Sequence, residues 1–281
     1  MQDQDEMSYG EDYHYLPVTS IHSGEGTEAA HGLYVYTVQI VNVAFAWEPG
    51  GDGWTLVDAG MPGSAEAIVR AAEEWFGEGC RPRSIVLTHG HFDHVGALIE
   101  LIDRWDVPVY AHEDELPYLT GRLAYPPGDP TVDPGLVAKL SPWFPNEPVD
   151  LGGRVHALPA DGHVPTLPGW TWLHTPGHTP GHVSLFKEEG RLLIAGDAFV
   201  AVRQEAVYDV FLQKPELSGP PRYFTMDWWA AWESVKRLEA LKPTVAVTGH
   251  GVAMSGEQLA RDLRELAEGF DRLAVPKKYR M

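Results

Sequence analysis

Apolar positions along this chain switch between strand-like and helix-like spacing in a repeating order. Residues 33–48 (LYVYTVQIVNVAFAWE) are rich in Val, Tyr, Phe and Ile and predict one or two strands. The turn-forming run PGGDG at 49–53 follows, then a strand from Trp54 to Val57 closed by Asp58-Ala59-Gly60. Residues 64–76 take helical spacing, with Ser64 placed as an N-cap. Ile85-Val86-Leu87 predicts a short strand, 95–105 a helix, and Val107 to Ala111 another strand.

The second half repeats this logic. Strands are expected at about 154–158, 170–174, 182–187 and 191–196, with a tight turn at 188–190. A helix capped by Asp227 is expected over 227–241, and a strand over 244–247. Ser255 and Gln258 make a capping-box pattern, and Leu259, Leu263, Leu266 and Phe270 keep one helix face apolar. Strands alternate with helices, yet several neighbouring strands are joined as hairpins. The expected class is therefore layered α/β with mixed sheets, not a doubly wound parallel sheet. Residues 117–150 differ: they are rich in Pro and Gly and lack periodicity, so they read as an insertion forming a lid or a subunit contact. The expected organisation is an acidic, loosely ordered terminus over 1–20, then one domain over 21–281 carrying that insertion.

Composition narrows the function. The 281 residues are 44% hydrophobic, enough for a sizeable core, and the net charge is −19. That charge disfavours nucleic acid or an anionic membrane as partner, since both need a positive footprint, and leaves a small-molecule substrate. Cys80 is the only cysteine, so no intramolecular disulfide forms, which fits a reducing compartment. The terminus MQDQDEMSYGEDY lacks the basic and apolar regions of a signal peptide, and no stretch reaches the roughly 18–20 apolar residues of a membrane span. The expectation is a soluble, cytoplasmic protein, with a homodimer compatible with the insertion.

The candidate chemistry lies in THGHFDH at 88–94, where His89, His91, Asp93 and His94 fall within six positions. Further ligand-type residues follow as His178 in TPGHTPGH, Asp197 in AGDAF and His250 in TGHG. Imidazoles and carboxylates without nearby cysteine suit zinc, manganese or iron. On an extended segment alternate residues share a face, so His89, His91 and Asp93 can converge while His94 points elsewhere. Asp58, at a strand end, is placed to hydrogen-bond a ligand histidine, and His182, four past His178, reads as a supporting residue instead of a ligand. Trp228, Trp229 and Trp232 crowd a helix start. They read as core anchors, or with Tyr223, Phe224 and Met226 as the wall of an apolar substrate pocket.

These motifs, with VDAG at 57–60 and GDAF at 196–199, make the chain resemble the metallo-β-lactamase-fold hydrolases over roughly residues 33–270. The resemblance implies a four-layer αββα sandwich and two divalent ions, zinc foremost, with iron or manganese also suited. It carries His89, His91 and His178 to the first metal, Asp93, His94 and His250 to the second, and Asp197 to the bridge between them. The implied reaction is attack of a metal-bridging hydroxide on a small ester, lactone or thioester, with Asp93 also handling the proton.

Departures from known branches refine this. Dedicated β-lactamases usually carry Cys or Ser where this chain has Asp197. Glyoxalase II enzymes share the ligands but add a basic helical region for glutathione, and here 31 residues follow His250. Lactonases of the fold carry Tyr three residues past the bridging Asp. Here that place is Val200, leaving Tyr208 or Tyr223 to substitute. The alternatives are a mononuclear iron persulfide dioxygenase using His178, Asp197 and one loop histidine, or a β-lactam or phosphodiester hydrolase of the same fold.

Overall fold

Short turns between apolar runs force antiparallel pairing, and helical crossovers permit parallel pairing; this chain uses both. The structure is a computed structural model describing residues 6–14, 19–51, 53–204, 211–212 and 216–280. The chain divides into two compact units, Met1–Tyr125 with Pro145–Gly169, and Pro126–Phe144 with Trp170–Met281.

In the first unit, seven strands lie side by side in chain order: β1 (Gly26–Ala30), β2 (Leu33–Val38), β3 (Val41–Trp47), β4 (Trp54–Val57), β5 (Ser84–Val86), β6 (Val109–Ala111) and β7 (Val155–Ala157). β1 to β4 pair antiparallel, whereas β5, β6 and β7 each add in parallel. Between them run helices α1 (Ala65–Phe76), α2 (Phe92–Val95), α3 (Leu98–Trp105) and α4 (Leu116–Leu119). Ile68 of α1 and Leu101 of α3 join Phe45, Leu56 and Ile85 of the strands in one buried core. Trp54 stacks on Phe76 at 4.8 Å, tying β4 to the end of α1.

Expectations change at several points here. The helix expected over 95–105 is two pieces, α2 and α3, and α2 carries Asp93 and His94. Ser64 precedes α1 but makes no side-chain cap bond. Its hydroxyl donates to the Met61 carbonyl at 2.6 Å, because Ser64 has helical backbone angles instead of the extended ones a cap requires. Within the terminus expected to be loose, Met7, Tyr9 and Tyr13 pack against the core, and Ser8 exchanges backbone hydrogen bonds with Asp150. These apolar and aromatic side chains dock the described part of that stretch.

The second unit has a five-stranded sheet built from β8 (Trp170–His174), β9 (Val183–Lys187), β10 (Leu192–Gly196), β11 (Val245–Thr248) and β12 (Met254–Ser255), in the spatial order β12-β11-β10-β9-β8. Only β10 and β11 are parallel neighbours. Helices α5 (Leu136–Leu140), α6 (Trp228–Ala240) and α7 (Gly256–Leu273) belong to it. The apolar stripe Leu259, Leu263, Leu266 and Phe270 is buried with Val235, Leu238 and Phe199. The expected capping box at Ser255 is absent. That residue is extended and paired with Val245 in β12, and its side chain makes no cap bond.

The stretch expected as an insertion is split between the units at Tyr125 and Pro145. Its middle part is tied down inside the second unit: Arg222 donates to Asp133 at 2.8 Å and also to the carbonyls of Leu273 and Ala274. Among the described residues, no helix is long and apolar enough to cross a membrane.

The cap on α6 does form: the Asp227 carboxylate accepts from the backbone N–H groups of Trp229 at 2.9 Å and Ala230 at 3.0 Å. Asp227→Ala is therefore expected to cost about 1 kcal/mol, and Ser255→Ala less than about 0.5 kcal/mol. Urea unfolding midpoints of the two variants check this contrast.

Candidate metal centre

Ligands in mixed α/β sheets gather beyond the carboxyl ends of parallel strands. In the first unit, β4 and β5 are such neighbours, and each ends in a chemically active residue. Asp58 follows β4, and its N–H donates to the Val86 carbonyl at 2.9 Å, which places its side chain beside the loop leaving β5. One carboxylate oxygen accepts from the Thr88 N–H at 2.7 Å. The other accepts from the Thr88 hydroxyl and from His94 Nδ1, both at 2.8 Å. Asp58 has φ 63°, a left-handed backbone costing about 1–3 kcal/mol, and three charge-assisted bonds offset that cost.

This network sets the tautomers. With Nδ1–H of His94 given to Asp58, its lone pair lies on Nε2. The Thr88 hydroxyl has spent its proton on Asp58, so it accepts from His89 Nδ1 at 3.1 Å, and the His89 lone pair also falls on Nε2. The rings of His89 and His91 are 4.7 Å apart, and those of His89 and His94 4.1 Å. His94 Nε2 lies 4.0 Å from an Asp93 oxygen. All four side chains are buried, Asp93 least.

The second unit presents a matching set. His178 lies on the loop joining β8 to β9, which packs against the start of α6. Met226 and Asp227 donate their N–H groups to the Gly177 carbonyl at 3.0 and 2.8 Å, and Ser234 donates to Pro176 at 2.7 Å. Gly177 has φ 133°, and a Cβ there would sit 2.2 Å from the Ala231 nitrogen, so the approach requires glycine. The Thr225 hydroxyl donates to Pro221 and accepts from His178 Nδ1 at 3.3 Å, again leaving the lone pair on Nε2.

Asp197 follows β10, and His250 follows β11. His182 Nε2 accepts the Asp197 backbone N–H at 2.9 Å, while its Nδ1 faces Thr175. His182 thus holds Asp197 in place and has no lone pair left for a metal. One oxygen of Asp197 lies 3.6 Å from His178 Nε2 and 3.3 Å from His250 Nε2. Two atoms each about 2.0–2.1 Å from a tetrahedral ion lie about 3.3 Å apart, so these spacings suit ligands sharing an ion. Buried imidazoles, three of them with anchored Nδ1 atoms, beside carboxylates, are a donor set fitted to a divalent metal.

The other sequence candidates fall as follows. Tyr223 and Phe224 are buried against each other and against Phe144. Met226 and Trp228 line a cavity of about 440 Å³ with Trp229, Trp232, Val275 and Tyr279. Tyr208 lies outside the described residues. Cys80 is half-buried, and burial first, then the Glu73 charge, pushes its thiol pKa up, so no reactive thiolate competes for a metal. Sequence reasoning missed Thr88, Thr225, Glu115 and Tyr125. Thr88 has a local signal, being adjacent to His89, whereas Thr225 is 47 residues from His178 and carries none.

Comparison with known proteins agrees with this geometry. The family described as the metallo-beta-lactamase superfamily matches residues 36–250, and the chain belongs to it. It is 53% identical over 254 residues to probable metallo-hydrolase YflN of Bacillus subtilis (strain 168), covering 90% of this chain and 96% of that protein. It is 30% identical over 147 residues to hydroxyacylglutathione hydrolase GloC of Haemophilus influenzae, covering 50% of this chain and 59% of that protein. Among solved structures it is similar to TTHA1623 in a di-iron-bound form, with 29% identity and TM-score 0.54 over 79% of this chain and 93% of that one. ST1585 from Sulfolobus tokodaii shares the fold at TM-score 0.56 and 20% identity, over 91% of this chain and 84% of that one. The mixed α/β architecture with two sheets is that of the superfamily, and the protein is a metallo-hydrolase.

Asp58 hydrogen-bonds both Thr88 and His94 Nδ1. Asp58→Ala is expected to weaken divalent-metal binding about 10–100-fold, read by chelator competition. Unchanged affinity would contradict that role.

Proposed function

We propose that His89, His91 and His178 hold one divalent ion, that Asp93, His94 and His250 hold a second, and that Asp197 is shared between them. The reaction is hydrolysis of a small ester, lactone or thioester. The observation that carries this reading is the Asp197 oxygen flanked by Nε2 of His178 and His250 at 3.6 and 3.3 Å. The likeness to a di-iron-bound structure supports two ions and keeps iron beside zinc as the occupant. The likeness to a hydroxyacylglutathione hydrolase, over about half of this chain, supports a thioester among the substrates.

Such ions supply Lewis acidity: they bring the pKa of a water to about 7 and polarise an acyl oxygen. The chain does the rest. Asp58, Thr88 and Thr225 hold three imidazoles with Nε2 as the donor atom, so these rings need not change tautomer when an ion arrives. Asp93 is the most accessible of the seven donors and stands next to His94 Nε2, which makes it the group to hold the proton of the attacking water and pass it to solvent. Buried residues around the donors keep bulk water out, which strengthens their electrostatic effect on the substrate.

The aromatic cavity gives the substrate an apolar end. Its wall starts at Met226, whose N–H also bonds the Gly177 and His178 carbonyls, so the cavity and the His178 loop share one segment. A volume of about 440 Å³ walled by tryptophan suits an acyl or aryl group.

Two results test this. Asp197→Ala or His91→Ala is expected to lose bound metal and all turnover of ester, lactone and thioester substrates, and full turnover in a metal-free variant would overturn the assignment. Trp229→Ala is expected to raise KM for aryl or long-acyl esters at least about fivefold with kcat retained. A KM unchanged across ester sizes would remove the cavity from substrate binding.

A further inference from the structure

A buried acid–phenol pair stands behind the histidine loop, and nothing in the catalytic reading uses it. Glu115 precedes α4 and is fully buried. Its Oε2 accepts the N–H of Gly90 at 3.0 Å and the hydroxyl proton of Tyr125. The same Gly90 N–H also reaches the Tyr125 oxygen at 3.2 Å. Gly90 is the residue between His89 and His91. A Cβ on it would lie 2.8 Å from the Tyr125 oxygen and 3.2 Å from Glu115 Oε2, so a side chain there would push the pair off the backbone. The Tyr125 ring lies 4.5 Å from the His91 ring, tilted by 60°, and stacks on Tyr118 at 4.1 Å.

We infer that Glu115 and Tyr125 are positioning residues that clamp the peptide between His89 and His91 and thereby set how tightly those two imidazoles hold a metal. This rests on the dinuclear reading above.

The physics favours a clamp. A carboxylate buried this deeply is tolerated only with strong donors, and here they include a phenol and a backbone N–H. The clamp acts on the backbone of the loop at one point and on the His91 ring at another. It therefore restrains the peptide joining the two imidazoles proposed for one ion, and one of their rings. Residues that orient metal ligands in this way typically carry a 10–100-fold effect on affinity.

The experiment compares wild type with Tyr125→Phe, Glu115→Gln and Tyr118→Leu. Tyr125→Phe keeps the ring against His91 but removes the donor. Tyr118→Leu removes the stacking beneath Tyr125 and leaves the clamp. Stepwise Zn(II) constants come from chelator competition, and the Co(II)-loaded visible spectrum reports ligand geometry. The expected result is a loss of about tenfold or more at one of the two ions in Tyr125→Phe and Glu115→Gln. The second constant stays the same, the Co(II) bands shift, and Tyr118→Leu matches wild type. Wild-type constants in the first two variants, or an equal loss in all three, would overturn the clamp. A wild-type protein that binds fewer than two ions would instead overturn the dinuclear reading.

Discussion

Ionised carboxylates cannot be taken out of water without compensation, and this constraint organises the whole molecule. Asp58, Asp93, Asp197 and Glu115 are all less than a tenth exposed, in a chain that already carries a net charge of −19. Asp58 is compensated by three donors, Glu115 by a phenol and a backbone N–H. For Asp93 and Asp197 the surrounding polar groups include imidazole Nε2 atoms whose anchored Nδ1 leaves them as acceptors. A cation is the natural complement of carboxylates set among such acceptors, which is why the arrangement reads as a metal centre and not as a salt-bridge network.

The scaffold delivers these groups by a simple rule. Asp58, the histidine loop, Asp197 and His250 follow β4, β5, β10 and β11, and each of these strands has a parallel neighbour. Hydroxyl side chains then fix the tautomers. Thr88 and Thr225 each spend their own proton on a fixed acceptor and so must accept from a histidine Nδ1. His182 shows the same logic turned to a different end, since its Nε2 is used up on the Asp197 backbone. Two histidines four residues apart in TPGHTPGH therefore differ in which ring nitrogen is anchored: Nδ1 in His178 by Thr225, Nε2 in His182 by the Asp197 N–H.

Much of this was legible in the sequence. β4, β8 and the α6 cap follow from apolar periodicity and an Asp at the right place, and the histidine loop announces itself by density of ligand-type residues. The failures have physical reasons. Ser64 and Ser255 carry cap chemistry on backbones that do not present it. β1 (GTEAA) is a half-exposed edge strand with no apolar alternation to reveal it. Glu115 and Tyr125 lie 25 and 35 residues from Gly90, and only folding brings them to it.

In the proposed centre, seven buried side chains share two ions across Asp197. Anomalous diffraction at the zinc edge, on crystals of the zinc-loaded protein, tests it most directly. The account predicts two peaks per chain, both within bonding distance of Asp197, one also contacting His89, His91 and His178 and the other Asp93, His94 and His250. A single peak, or ions bound away from Asp197, would contradict it.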